Sequence, residues 1–315
     1  MTARCCSLPL QRVITDFGAD HAFGQVPKKL QEHYSIQIPV STIRKLTEHH
    51  GQQIDDQREA ASLSTDEGCQ QQIAEIDGCM IPIISVREDN GDKRKKKKLH
   101  WKEARLTLVH EHGSVTPKFD ATFAKSVDNA GQSLLNCAVA AGLGVNTQVH
   151  GVGDGALWIE KQMQEKFGTQ GSYLIDFYHV CEYLSEASSA CSANDSDWMD
   201  TQKKRLKNNE YALVIDSLSK HLEPDSVDNT KAPVNACHRY LSNRTDQLNY
   251  KGAIEKGLPI GSGEIESAHR YVIQHRLKLS GAWWKEENVD RMLALRVIRA
   301  NEEWDKYWNN LAEAA

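Results

Sequence analysis

No part of this 315-residue chain is apolar for the roughly 20 residues that a membrane-crossing helix needs. The longest apolar run, residues 80–86, carries Pro82 inside it. The start of the chain has Arg4 but no apolar core of a secretory signal, so a soluble, unexported protein is expected. Positive charge is not in excess: 38 Lys and Arg face 43 Asp and Glu, a net of −5. That excludes a surface coated in cations and lends nucleic-acid binding no support by itself. Of the eight cysteines only Cys5 and Cys6 are close, and none shows the two-residue spacing of a zinc knuckle. They read as reduced thiols, mostly filling the core. There are no internal repeats, and residues 93–98 are the one low-complexity stretch. What remains, 40% apolar and 26% charged, is the balance of a folded chain with one large or two modest domains.

The first fifty residues read as helical and self-contained. Ala22, Phe23, Val26, Leu30 and Tyr34 recur at helical spacing, with Pro27 starting or kinking a helix. A second helix is predicted over 41–51, with Ser41 as N-cap and Gly51 as stop. Two short helices joined by a turn, the second bearing Arg44 and Lys45, suit a DNA-binding helix-turn-helix and equally a plain helical hairpin. Residues 53–70, polar and Gln/Asp/Ser-rich, read as a linker. Strands follow over 73–81, 100–109 and 115–123, then a helix near 134–141, a strand over 147–152, a helix over 156–167 and a strand over 173–176. A mixed α/β architecture with a central sheet is expected. No strand signal appears after Phe177. An all-helical block runs over 178–256, followed by a helix over 262–279 and a last one over 286–308.

Three acids stand out by position. Asp77 interrupts an apolar strand, where an ionised carboxylate is costly unless paired or metal-bound. Asp154 lies between Gly153 and Gly155 at a strand's C-terminal end, where open α/β sheets place ligands. Glu266 sits in the first turn of a helix, where the dipole favours a carboxylate. Together they suit two hard divalent cations, which take oxygen ligands. Read singly, each is a structural residue.

The run Gly261-Ser262-Gly263-Glu264-Ile265-Glu266-Ser267-Ala268-His269, continuing through Arg276-Leu277-Lys278-Leu279-Ser280-Gly281-Ala282-Trp283-Trp284, resembles the third catalytic block of bacterial insertion-sequence transposases of the DDE class. Gly153-Asp154-Gly155-Ala156-Leu157-Trp158-Ile159 resembles the second block and Ile76-Asp77-Gly78 the first. Asp176-Phe177-Tyr178-His179-Val180 is similar to the Asp-x-x-His segment of these enzymes. The resemblance implies an RNase H-like mixed sheet with flanking helices, spanning 71–177 and 257–315. A helical insertion over 178–256 interrupts it, and a small helix-turn-helix-like domain over 1–52 precedes it.

The same resemblance implies that Asp77, Asp154 and Glu266 hold two Mg2+ or Mn2+ ions. Water then cleaves a phosphodiester at the transposon end, and the freed 3′-hydroxyl attacks target DNA. The family pattern Gly-Ser-Gly-x-x-Glu-Ser selects Glu266 over Glu264, which points about 200° away on a helix. The implied partners are double-stranded DNA, as transposon ends and target, and further copies of the chain assembled on it. The implied place is the bacterial cytoplasm, at the nucleoid, with no membrane involved. Relatives often carry extra residues upstream, so an end-binding module is expected to be missing here.

Lys93, Arg94, Lys95, Lys96, Lys97 and Lys98 repel one another and suit DNA phosphates, or form a solvated hairpin tip. Arg276, in the third block, is a further candidate DNA contact. His179 and His269 are either accessory groups near the scissile phosphate or packing residues. Trp283 and Trp284 either stack on an unpaired base or pack between helices. The alternatives to a transposase are a catalytically silent DNA-binding regulator derived from one, and a two-carboxylate glycosidase. The glycosidase leaves the basic run and the helix-turn-helix without a role.

Overall fold

A computed structural model describes residues 6–63, 65–86 and 97–314. Its centre is a five-stranded mixed sheet in the order β3-β2-β1-β4-β5. The strands are β1 (Gln71–Val86), β2 (Lys97–Glu111), β3 (Lys118–Phe123), β4 (Gln148–Gly153) and β5 (Gly171–Ile175). The first three are antiparallel neighbours, whereas β1, β4 and β5 run parallel. Parallel neighbours need crossover connections. These are α4 (Val127–Ala140) before β4 and α5 (Leu157–Phe167) before β5.

β1 is longer than its apolar pattern predicts because two partners complete it in turn. Residues 71–75 pair with β4, and β2 follows β1 throughout, so the outer half of the β1–β2 pair projects as an arm. On the arm's open side the backbone of Trp284 takes β4's place: its N–H donates to the Pro82 carbonyl at 3.1 Å and its carbonyl accepts from Ile84 N–H at 2.8 Å. Pro82 has no N–H, so it gives only its carbonyl there.

Three helices stand at the N-terminal end, α1 (Leu8–Asp20), α2 (Val26–Tyr34) and α3 (Val40–Asp56). Pro27 lies in the first turn of α2, as its missing N–H requires. Two expectations are corrected. Ser41 lies inside α3, and Gly51 does not stop the helix, which runs on to Asp56. Gly51 instead allows a close helix contact, since a Cβ there would lie 2.4 Å from the Arg291 carbonyl oxygen. Nor are these helices self-contained. Arg299 reaches Asp16 at 3.2 Å and Asp20 at 2.9 Å, and Arg296 also pairs with Asp20.

After β5 comes a block of helices whose core also takes in Leu174 and Ile175 of β5: α6 (Phe177–Cys191), α7 (Asp195–Lys207), α8 (Tyr211–Ser219), α9 (Pro233–Ser242) and α10 (Tyr250–Glu255). The helix predicted over 262–279 is divided into α11 (Gly263–Ala268), a π-helical segment His269–Gln274 and α12 (His275–Leu277). The helix predicted over 286–308 is broken into α13 (Val289–Ala300) and α14 (Trp304–Glu313). The break has a use. The Asn301 side-chain amide exchanges two hydrogen bonds with the backbone of Phe119, at 2.8 and 2.9 Å, and so covers the open edge of β3.

Segments α11 to α14 bury one face of the sheet, and α4 and α5 cover the other. Cys79, Cys137, Cys191 and Cys237 are buried thiols, as the core-filler reading expects. Among the described residues no helix is long and apolar enough to cross a membrane.

His50 makes the docking of α3 on α14 pH-dependent. It is 2% exposed, with Nδ1 2.8 Å from the Tyr307 hydroxyl and Nε2 3.0 Å from Gln11 Oε1. Burial, reinforced by His49, pushes its pKa down to about 4. Between that value and 6.5 the unfolded chain binds more protons than the folded one. The stability present above pH 6.5 is therefore lost as pH falls towards 4, by about 3 kcal/mol. Melting midpoints recorded from pH 7.5 to 4.5 should fall, and His50→Gln should flatten that slope. Equal slopes for the two proteins would contradict this.

Candidate active site

The pairing of β1 with β4 ends with Glu75 opposite Val152. Two residues further along each strand come Asp77 and Asp154, so the parallel register brings both to the same mouth of the sheet. The strand order reverses direction between β1 and β4, which is where an α/β sheet opens a crevice. β5 ends one strand over, and Asp176 follows it directly.

Asp154 sits in a turn that needs its glycines. Gly155 adopts φ +79°, and Ala156 N–H donates to Asp154 Oδ1 at 2.8 Å. Asp77 is partly exposed. Its Oδ1 accepts from Gly78 N–H at 2.7 Å, and its Oδ2 lies 3.3 Å from Nε2 of the buried His269. Burial alone would lower the His269 pKa, but Asp77 and Cys79 outweigh it and push the imidazole up to about 9.

Two buried carboxylates fix the helix that carries Glu266. Asp176, 4% exposed, accepts Tyr178 and His179 N–H on Oδ1, and Ser262 N–H and Oγ–H on Oδ2, the last two at 2.6 Å. Glu75 accepts Ile265 N–H at 2.8 Å, and burial pushes its pKa up to about 8. Glu266 and Glu264 consequently face apart. Glu264 pairs with His110 at 3.0 Å, while Glu266 is exposed towards the mouth of the sheet.

Asp77, Asp154 and Glu266 thus line one cleft of about 240 Å3, together with Asp176, Tyr178, His179, Glu182 and Ser262. Five carboxylates line it, and among the described residues no Lys or Arg does. Such a concentration of like charge suits cations, and an all-oxygen donor set suits hard ones such as Mg2+ or Mn2+. Among the described residues no three His, Cys, Asp or Glu side chains converge tightly enough to hold one ion.

Positions 145–307, just over half of the chain and including Asp154 and Glu266 but not Asp77, match the family described as Uncharacterised protein family (UPF0236). The chain belongs to that family. No curated protein matches it. The region of this UPF0236 protein shared with its family runs from the strand before Asp154 to α14, and so spans most of the cleft.

The other sequence candidates separate into three groups. His179 lines the cleft, with Nδ1 3.3 Å from Glu182. Arg44 and Lys45 are exposed on α3, Arg44 lying 3.8 Å from Glu48, and Lys97 and Lys98 are exposed at the start of β2. Trp283 is 53% exposed beside the equally exposed Trp101 and Lys278. Lys93, Arg94, Lys95 and Lys96 lie outside the described residues.

One candidate is corrected, and for one the packing alternative applies. Arg276 cannot meet DNA, because it is 2% exposed, sandwiched between the Phe23 and Trp284 rings, and its Nε donates to Gly18 carbonyl at 3.0 Å. Trp284 is buried, and its indole N–H donates to the Leu277 carbonyl at 3.0 Å, so it is framework rather than a stacking surface. Glu75, Glu182, Tyr240 and Arg244 are further residues in or around the cleft that no sequence motif marks. Only Glu75, an acid inside an apolar strand, carried a local signal.

Proposed function

We propose that this protein is a DDE transposase with an RNase H-like catalytic domain, cleaving DNA at insertion-sequence ends and joining it to a target. The observation that carries the reading is the cleft itself: acids at positions 77, 154 and 266, far apart in the chain, line one crevice at the sheet's mouth. The order of three antiparallel strands, helix, strand, helix and strand supports the RNase H-like reading, with the helical block as its insertion.

Asp77, Asp154 and Glu266 would hold two Mg2+ or Mn2+ ions. The ions, when bound, activate the attacking oxygen and stabilise the leaving one in an in-line displacement. The protein's own part is positional. Asp77 comes from β1 just past the point where its pairing with β4 stops, Asp154 follows the end of β4, Asp176 and Glu75 hold the backbone of α11, and His269 orients the outer oxygen of Asp77. Hydrolysis breaks the bond between phosphorus and the 3′ oxygen, leaving a 3′-hydroxyl and a 5′-phosphate. The 3′-hydroxyl then displaces a target 3′ oxygen in the same cleft. Copies of the chain on paired ends, in the bacterial cytoplasm at the nucleoid, complete the proposal.

DNA would extend from the cleft along the β1–β2 arm. Ser85, opposite Lys98, is eight residues from Asp77, about 26 Å at 3.3 Å per residue. The Trp283 and Trp101 faces lie on the way, where an unpaired base can stack. Replacing Lys97 and Lys98 together by Ser should reduce the slope of log affinity against log salt by about 2. An unchanged slope would remove both lysines from the interface.

The reading is tested by nicking of supercoiled DNA in Mg2+ or Mn2+, with chelator as the control. Metal-dependent nicking is expected. Tight DNA binding without nicking would favour the silent regulator instead.

A further inference from the structure

We infer that the helical block is a positioning device for the cleft, with Tyr240 and Arg244 of α9 and its end as the residues that fix Asp154. This rests on the transposase reading for its consequence, although the contacts do not.

A carboxylate in a glycine-flanked turn has a loose backbone unless something holds it. Here the two carbonyls of the turn are both gripped from the helical block. The Tyr240 hydroxyl donates to the Asp154 carbonyl at 2.6 Å, and Arg244 Nε donates to the Gly155 carbonyl at 2.8 Å. Arg244 is itself held, lying 4.4 Å over the Tyr240 ring and donating from Nη1 to the Tyr240 carbonyl at 3.1 Å. Tyr240 stacks on Tyr183 of α6 with ring centroids 4.2 Å apart and meets the edge of His179, which lines the cleft. From the sheet side, the Tyr173 hydroxyl accepts from Gly155 N–H at 3.0 Å.

Position 155 is fitted to this grip. A Cβ there would stand 2.6 Å from the Tyr240 hydroxyl oxygen and 3.3 Å from Arg244 Nε, in addition to the positive φ. The same block is tied to Glu266 at its two ends. Asp176 caps α6, where the block begins, and holds Ser262, just after it ends, while Phe177 N–H donates to the Ile260 carbonyl at 2.8 Å. The block therefore bridges the turn bearing Asp154 and the helix bearing Glu266, and its core is continuous with Leu174 and Ile175 of β5, which ties it to the sheet.

Tyr240 and Arg244 touch the backbone carbonyls of Asp154 and Gly155 rather than the acid's carboxylate, so they are positioning residues. Removing such outer contacts commonly weakens metal affinity or activity 10- to 100-fold.

The test uses the full chain with Tyr240→Phe, which keeps the ring and its stacking, and with Arg244→Met and Arg244→Lys. Mn2+ affinity is measured by electron paramagnetic resonance without DNA, nicking is measured against Mn2+ concentration, and backbone hydrogen exchange is followed over residues 153–156. Expected are an about 10-fold weaker Mn2+ affinity for Tyr240→Phe, nicking largely restored by raised Mn2+, and faster exchange of the turn. The melting midpoint should move by only a few degrees. Arg244→Lys should recover more Mn2+ affinity than Arg244→Met. Wild-type Mn2+ affinity in both Tyr240→Phe and Arg244→Met would overturn the inference, as would losses that follow global unfolding. If the wild type neither binds Mn2+ nor nicks DNA, the transposase reading fails. Exchange of residues 153–156 then decides the grip alone: faster in Tyr240→Phe supports it, unchanged overturns it.

Discussion

Asp154→Asn is expected to lower metal-dependent DNA nicking by about 1,000-fold or more while leaving DNA affinity and the melting midpoint almost unchanged. The substitution is nearly isosteric, and the asparagine Oδ1 still accepts the Ala156 N–H that shapes the turn. What disappears is one negative charge among the five carboxylates of the cleft. Loss of a cation ligand at a reacting phosphate removes several kcal/mol of transition-state stabilisation, and about 4 kcal/mol corresponds to that factor. Nicking at wild-type rates would remove Asp154 from the chemistry. A collapse in melting temperature would mean instead that its charge holds the turn together.

A second large effect is expected at Arg276, on stability rather than on DNA. Arg276→Ala empties the space between the Phe23 and Trp284 rings and leaves the Gly18 carbonyl without its donor. Cavity and lost hydrogen bond together should cost about 3–5 kcal/mol, or roughly 10 °C in melting midpoint for a chain of this size. Burial already holds this guanidinium at a disadvantage, pushing its pKa down to about 10, with Arg296 adding to the effect. Arg276→Met, which refills the volume without a charge, should therefore be milder than Arg276→Ala. If Arg276 met phosphate, the Met variant would stay stable and lose about one unit of salt slope. Thermal melts and a salt titration separate the two.

These two sites show what local pattern can and cannot convey. Asp77, Asp154 and Glu266 were legible because each departs from its surroundings: an acid in an apolar strand, an acid between glycines at a strand end, an acid opening a helix. The succession of strands and helices along the chain was legible from alternation and turn residues, whereas their order in the sheet was not. Arg276 was not, because a motif position says nothing about which ring a guanidinium will face after α1 packs against α12. Asn301 breaks a helical pattern that looks continuous, since its amide serves β3, 182 positions away. Gly51 carries the marks of a helix stop, yet its small size serves the approach of Arg291. Asp176 stood inside a recognised segment, but its hold on Ser262 depends on the far end of the helical block. Tyr240 and Arg244 bear no local signal, because their partners are the backbone of a turn more than 80 residues earlier. Local chemistry announces itself in sequence, whereas contacts closed by the fold do not.

If Asp77, Asp154 and Glu266 form one cation site, anomalous diffraction from crystals soaked in Mn2+ will locate it. Expected are anomalous peaks in the cleft, within ligand distance of those three carboxylates, that vanish in Asp154→Asn and persist in Glu264→Gln. Peaks confined to other surfaces, or an empty cleft at Mn2+ concentrations that support nicking, would contradict it.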